Sequence, residues 1–221
     1  MMSTETEERP SDRFARRVTE RCLRDRGQRA ALRRGLRRPP EQAHTMHAVV
    51  APLLSASVTQ EHEYAHYAVA AMIAASVRDR TNVEPTEVES SDVTDAEEVA
   101  VADADSRPGT RPNLGQSLAW AVCRPGLGRR AMNRATAEKR LHLLVRQGSP
   151  GVYQHLAGVV RHLGAVEVEV NWGQLLDDLC QWRYRRDQVA KRWLQSYYRT
   201  LHEADRRAEQ QKNNPSLEES A

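Results

Sequence analysis

The chain reads as an all-α protein: two small helical bundles joined by an acidic, flexible linker. Three observations carry that reading. Apolar residues recur at three- and four-residue spacing, as with Leu114, Leu118 and Val122 and again with Leu141, Leu144 and Val145. Only Val166-Glu-Val-Glu-Val170 alternates as a strand does, and one short strand has no partner, so it reads as an extended connector. Residues 83–112 hold Pro85, Pro108, Gly109 and Pro112 among acids and serines, with almost no large apolar side chain. Ordering such a segment buries too little surface to offset the entropy lost.

The elements follow in chain order. Residues 1–10 are expected to be a disordered tail, and Ser11 to cap a helix with Phe14, Val18 and Cys22 on one face. Gly27 is expected to break it, with a short helix over Gln28–Leu36 ended by Arg37-Arg38-Pro39-Pro40. A third helix is predicted from Glu41, with Met46, Val49, Val50, Leu53 and Leu54 apolar and Pro52 at its end. A fourth covers about Glu61–Arg80, with Tyr64, Tyr67, Ala71, Met72 and Ala75 inward and enough alanine for close packing. These make an N-terminal lobe over 11–82. After the linker (83–112), the C-terminal lobe (113–209) begins with the helices around Leu114 and Leu141. Ser149-Pro150 opens a helix striped by Val152, Leu156, Val159, Val160 and Leu163, and Gly164 closes it. Asn171 is placed to cap Trp172–Trp182. A last helix, roughly Asp187–Glu209, carries Val189, Trp193, Tyr197 and Leu201, and 210–221 reads as a frayed tail.

Composition bounds the function. The 221 residues are 39% hydrophobic and 29% charged, as in a soluble globular protein, and no apolar run approaches the length of a membrane span. The acidic start lacks the apolar core of a secretory signal. Cys22, Cys123 and Cys180 are too far apart for a disulfide framework or a cysteine zinc site, in keeping with a reducing cytoplasm. The net charge of +3 conceals segregation: residues 82–106 hold nine acids and no base, which leaves 33 basic against 21 acidic residues elsewhere, a net of +12. Thirty of the 33 cations are arginine, which a GC-rich genome would also produce without any nucleic-acid role. The acidic stretch is expected to act as a mobile counter-charge for a basic groove, so that deleting 84–106 tightens nucleic-acid binding.

Catalytic motifs are weak. His62-Glu63-Tyr-Ala-His66 is a formal H-E-x-x-H, and histidines four apart on a helix can share a zinc ion while Glu63 activates its water. The third ligand is missing: positions 69 and 72 are Val and Met. A zinc hydrolase therefore stands only as an alternative. Gly126-Leu-Gly128-Arg-Arg-Ala131 matches a dinucleotide-binding fingerprint in letters, but no strand precedes it and no acid follows at the required distance, so it reads as a basic loop. Asp177 and Asp178 are neighbours on a helix and point about 100° apart, poor geometry for a metal pair. No cofactor is expected, and no enzymatic activity.

Basic clusters are the stronger signal. Arg124, Arg129, Arg130, Arg134, Lys139, Arg140 and Arg146 rim the two helices between Asn113 and Gln147. Arg34, Arg37 and Arg38 can share one helical side with Arg33 at its flank. Guanidinium groups rimming apolar-faced helices suit a phosphate backbone, although a merely solvated face would look the same. Arg183, Arg185, Arg186, Lys191 and Arg192 interleave with Trp182, Tyr184, Trp193, Tyr197 and Tyr198. There base stacking is one reading, but Trp182, Trp193 and Tyr197 lie on core stripes, and the cations equally suit a protein partner.

The pattern also resembles a known family. Leu114-Gly-x-x-Leu-Ala followed by Ala137-Glu-x-Arg-x-x-x-Leu is similar to the small subunit (CasB family) of the type I-E CRISPR Cascade complex. Ala30-Ala-Leu-Arg-Arg34 matches its early basic helix, Val170-Asn-Trp172 with Leu175, Asp178 and Trp182 its helix start, and Trp193 with Tyr197-Tyr198 its final helix. The likeness spans most of residues 12–200. It implies an all-α, non-catalytic DNA- and RNA-binding subunit of a crRNA-guided antiviral complex, present as a pair beside other Cascade subunits. Its work would be to hold single-stranded DNA or the crRNA–DNA hybrid while the R-loop forms. Arg33, Arg34 and the Arg124–Arg146 group are the expected contacts, Lys139 and Arg140 most directly.

Overall fold

A computed structural model describes residues 8–55, 57–77, 111–124, 126 and 129–213; the expected acidic linker falls outside them but for 111 and 112. Among the described residues the secondary structure is helical: α1 (Pro10–Arg24), α2 (Arg26–Arg34), the short α3 (His47–Val50), α4 (Gln60–Ser76), α5 (Leu114–Cys123), α6 (Arg134–Val145), α7 (Ser149–Ala165) and α8 (Trp172–Asn213).

Local chemistry places most ends. The side chains of Thr59, Asn113 and Asn133 accept from the amides of His62, Gln116 and Thr136, so each caps its helix. Asn171 does the same for α8, accepting from Gln174 at 2.9 Å. Other ends differ from the sequence reading. Ser11 lies buried inside α1 rather than capping it. The break after α1 comes from extended Asp25, whose carboxylate accepts from the amides of Gly27 and Gln28, and Gly27 sits in the first turn of α2. The helix predicted from Glu41 is largely 3-10 turns (Pro40–Gln42, His44–Met46, Ala51–Leu53), since Pro39, Pro40 and Pro52 lack amide donors. Helix α4 ends at Ser76, and Gly148 precedes α7 without a side-chain cap. Residues 166–170 are the expected connector, with Glu167 at a positive φ of 59°.

The two helices expected beyond Asn171 run on as α8, broken at Arg185 (φ −134°, ψ 30°), and the second arm continues to Asn213, past the expected end at Glu209. The arms fold back on each other. Asp178 on the first bonds Arg192 and Trp193 on the second, and the rings of Trp182 and Trp193 lie 4.9 Å apart. The first arm meets α1 and α4: Arg111 bridges Asp12 and Asp177, and Arg183 pairs with Glu61 at 3.3 Å. The second meets α5 and α6, where Asn113 donates to Ser196 at 2.8 Å and the Tyr197 hydroxyl to the Arg134 carbonyl at 3.3 Å. The core they enclose contains Trp182, Trp193 and Tyr197, all buried as their stripe required, with Leu118, Leu141, Leu156 and Met72.

Candidate nucleic-acid interface

Helix α2 ends at Arg34 and the chain turns through Arg37, which holds a left-handed conformation (φ 66°). A side chain there is sterically costly without support. Gln154 of α7 supplies it, donating from Nε2 to the Arg37 carbonyl at 2.9 Å. This grip lays the Arg37 side chain across α7 beside Gly158, where a Cβ would sit 3.7 Å from Nη2 of Arg37.

Next to this crossing runs a groove of about 580 Å³ between α2, α4 and α7. Its floor includes Leu36, Met72 and Val160, and Arg33, Arg37 and Arg161 stand along it. Arg140 reaches the same helix from α6: its Nη2 donates at 2.9 Å to Nε2 of His162, whose Nδ1 faces the Gly158 carbonyl at 2.6 Å. One imidazole tautomer satisfies both contacts, with the proton on Nδ1 and the lone pair on Nε2. Arg33 and Arg37 from the first sequence cluster and Arg140 from the second therefore converge on α7 although about a hundred residues separate them. Among the described residues, Arg33, Arg34, Arg37, Arg38 and Arg161 have no carboxylate partner.

The other expected contacts are placed differently. Arg129 pairs with Glu167 at 2.8 Å and Arg134 with Asp205 at 3.0 Å, so both charges are largely answered within the chain. Arg124 lies by Cys123 and Arg207 against the second arm of α8. Arg130 and Arg146 are exposed, and Lys139 borders a shallow concavity with Thr136, Arg140 and the exposed Leu143. Arg161 escaped the sequence reading. The available signal was that it is the one Lys or Arg on α7, set among Ala157, Gly158, Gly164 and Ala165, whose small side chains leave room for a trough.

The H-E-x-x-H residues take part in packing. His66 Nδ1 faces the His62 carbonyl at 2.6 Å, and its ring meets Phe14 edge-on with centroids 4.7 Å apart. Burial holds the His66 pKa below the usual histidine value, against the opposing pull of its hydrogen bond to the His62 carbonyl. Among the described residues no three His, Cys, Asp or Glu side chains are grouped to hold a metal ion. Asp177 and Asp178 also go separate ways, the first to Arg111 and the second into the core. No helix among the described residues is long and apolar enough to cross a membrane.

Comparison with known proteins agrees with this architecture. Residues 28–198 match the family model for CRISPR-associated protein Cse2. The fold is similar to a chain of a CRISPR RNA-guided surveillance complex, with 34% identity over 90% of this chain and 97% of the other and a TM-score of 0.69. A chain of such a complex before nicking gives 36% identity, the same coverage and the same TM-score. CasB from Thermus thermophilus gives 25% identity over 86% of this chain and 99% of its own, with a TM-score of 0.59. Among curated proteins none matches. With the family model covering most of the chain and its helices superposing on those structures, this protein belongs to the Cse2 (CasB) family of CRISPR-associated proteins.

Proposed function

We propose that this protein is a non-catalytic subunit of a type I-E crRNA-guided antiviral surveillance complex, and that it holds the backbone of a DNA strand during R-loop formation. The observation that carries the reading is the convergence of Arg33, Arg37, Arg161 and Arg140 on α7 beside a groove, the first three without carboxylate partners among the described residues. Unanswered guanidinium groups along a trough attract phosphates and read no base edges. Their effect can be decisive because exchanging a DNA duplex for an RNA–DNA hybrid is nearly balanced, and modest backbone contacts tip it. The relatives found within RNA-guided surveillance complexes support the same assignment.

The test is fluorescence anisotropy of a labelled mixed-sequence single strand titrated with the full chain across a salt series. With about six phosphate contacts the logarithmic salt slope is about −4, a roughly 300-fold loss between 50 and 200 mM salt. Sequence preference is slight. A flat salt response, or strong preference for one sequence, rejects strand holding through this groove.

A second reading is favoured on the α6 face, where Leu143 is 43% exposed beside Lys139. An exposed leucine flanked by cations suits contact with a neighbouring subunit, so Lys139 serves assembly in that reading. Charge reversal separates the two: Arg33→Glu with Arg37→Glu abolishes strand binding and leaves assembly intact, whereas Lys139→Glu weakens assembly.

A further inference from the structure

Consecutive residues of a straight helix point in all directions, each turned about 100° from the last. At the bend of α8 they do not. Trp182 to Gln188 line one concavity of about 450 Å³, together with Gly148 and Ser149 at the start of α7. The break at Arg185 gathers them.

Two of these residues have no evident structural employment. Arg183 is paired with Glu61 and Arg186 with Asp187, at 3.3 and 3.0 Å. Arg185 is exposed and has no partner among the described residues. Tyr184 is 70% exposed, and no ring contact or hydrogen bond engages it among those residues. A bare phenol ring next to an unpaired guanidinium group combines the two elements of single-strand recognition, a stacking platform and a phosphate contact. The core of a protein–protein contact is depleted in charge other than arginine and built around several aromatic and apolar anchors. Here the run from Arg183 to Asp187 is nearly all charged and Tyr184 is its one exposed ring, which favours nucleic acid.

The geometry points to a second single-stranded nucleic-acid subsite at this bend, where Arg185 holds a backbone phosphate and an adjacent base stacks on Tyr184. The inference rests on the strand-holding reading above and extends it to residues outside the α7 groove.

The experiment measures binding of the labelled mixed-sequence strand to the full chain and to Tyr184→Ala, Tyr184→Phe, Arg185→Ala and the Arg33→Ala/Arg37→Ala pair, with a matched abasic strand as control. Tyr184 and Arg185 are exposed, so the variants melt as the parent does. Tyr184→Ala is expected to weaken binding about tenfold, while Tyr184→Phe retains it. Arg185→Ala reduces the salt slope by about 0.7. On the abasic strand Tyr184→Ala binds as the parent does, because no base remains to stack.

If Tyr184→Ala and Arg185→Ala match the parent on the natural strand while the Arg33/Arg37 pair loses binding, the subsite is rejected and the groove reading stands. If the Arg33/Arg37 pair binds normally and Tyr184→Ala does not, the groove reading fails and the bend is the site. Variants at the bend that bind the strand normally but assemble poorly with the partner subunits assign it to protein and overturn the subsite. A parent chain that binds no strand even at low salt overturns both.

Discussion

The buried carboxylate of Asp178 accepts a 2.6 Å hydrogen bond from the indole N–H of Trp193, 15 residues further along the chain. In a straight helix those residues would stand about 22 Å apart along the axis, so this bond and the 2.9 Å bond from Arg192 join two arms of α8 that have folded back. Gln174 adds a third donor at 3.0 Å. Burial lifts the Asp178 pKa, and the donors from Trp193, Arg192 and Gln174 oppose that rise.

Removing this acceptor strands a buried indole N–H and leaves Arg192 unpaired. Asp178→Ala is expected to cost about 3 kcal/mol in urea unfolding. Asp178→Asn keeps one acceptor oxygen and costs less. Equal stability of the alanine variant and the parent would show that other contacts hold the arms together.

Gly115, inside the Leu-Gly-x-x-Leu-Ala pattern, lets α5 approach the second arm of α8 until a Cβ would overlap the carbonyl oxygen of Trp193. Backbone cannot swing aside as a flexible side chain can, so Gly115→Ala forces the helices apart. A loss of about 2–3 kcal/mol is expected, read as a lowered melting temperature. Gly158→Ala, with only a van der Waals neighbour in Arg37, melts as the parent does.

Arg161 and Arg134 provide a matched pair for strand binding. Arg161 stands on the groove with no carboxylate partner among the described residues, whereas Arg134 is held by Asp205 at 3.0 Å. Arg161→Ala is expected to weaken binding of single-stranded DNA and to flatten the salt slope by about 0.7. Arg134→Ala leaves the slope unchanged.

His66 makes stability depend on pH. Burial depresses its pKa in the folded chain below the unfolded value of 6.5. Below that value the unfolded chain takes up a proton that the folded chain resists, so stability is full above pH 6.5 and declines as pH falls toward the depressed value. The decline is at most about 1.4 kcal/mol per pH unit for this one group. Urea titrations of the parent and His66→Leu at pH 7.5 and 5.5 are expected to show a smaller drop in the variant.

The helices, their stripes and the Asn171 cap were legible in the sequence. Asn171 and the apolar run through Trp193, Tyr197 and Leu201 act through contacts three or four residues away, which a linear pattern records. So did the basic clusters and the family resemblance, which rest on residue identity alone. The helix expected from Glu41 was misread, because Pro40 and Pro52 turn much of a good apolar period into 3-10 turns.

Tertiary structure alone decided which cations act together. Arg37 reaches α7 through Gln154, 117 residues away, and Arg140 reaches it through His162, while Glu167 and Asp205 answer Arg129 and Arg134. Coulomb attraction falls with distance in space and is indifferent to separation along the chain. The run from Arg124 to Arg146, continuous in sequence, is therefore divided by helix crossing, with Arg129 and Arg134 paired to carboxylates and Arg140 turned to His162, and Arg161, isolated in sequence, joins the groove.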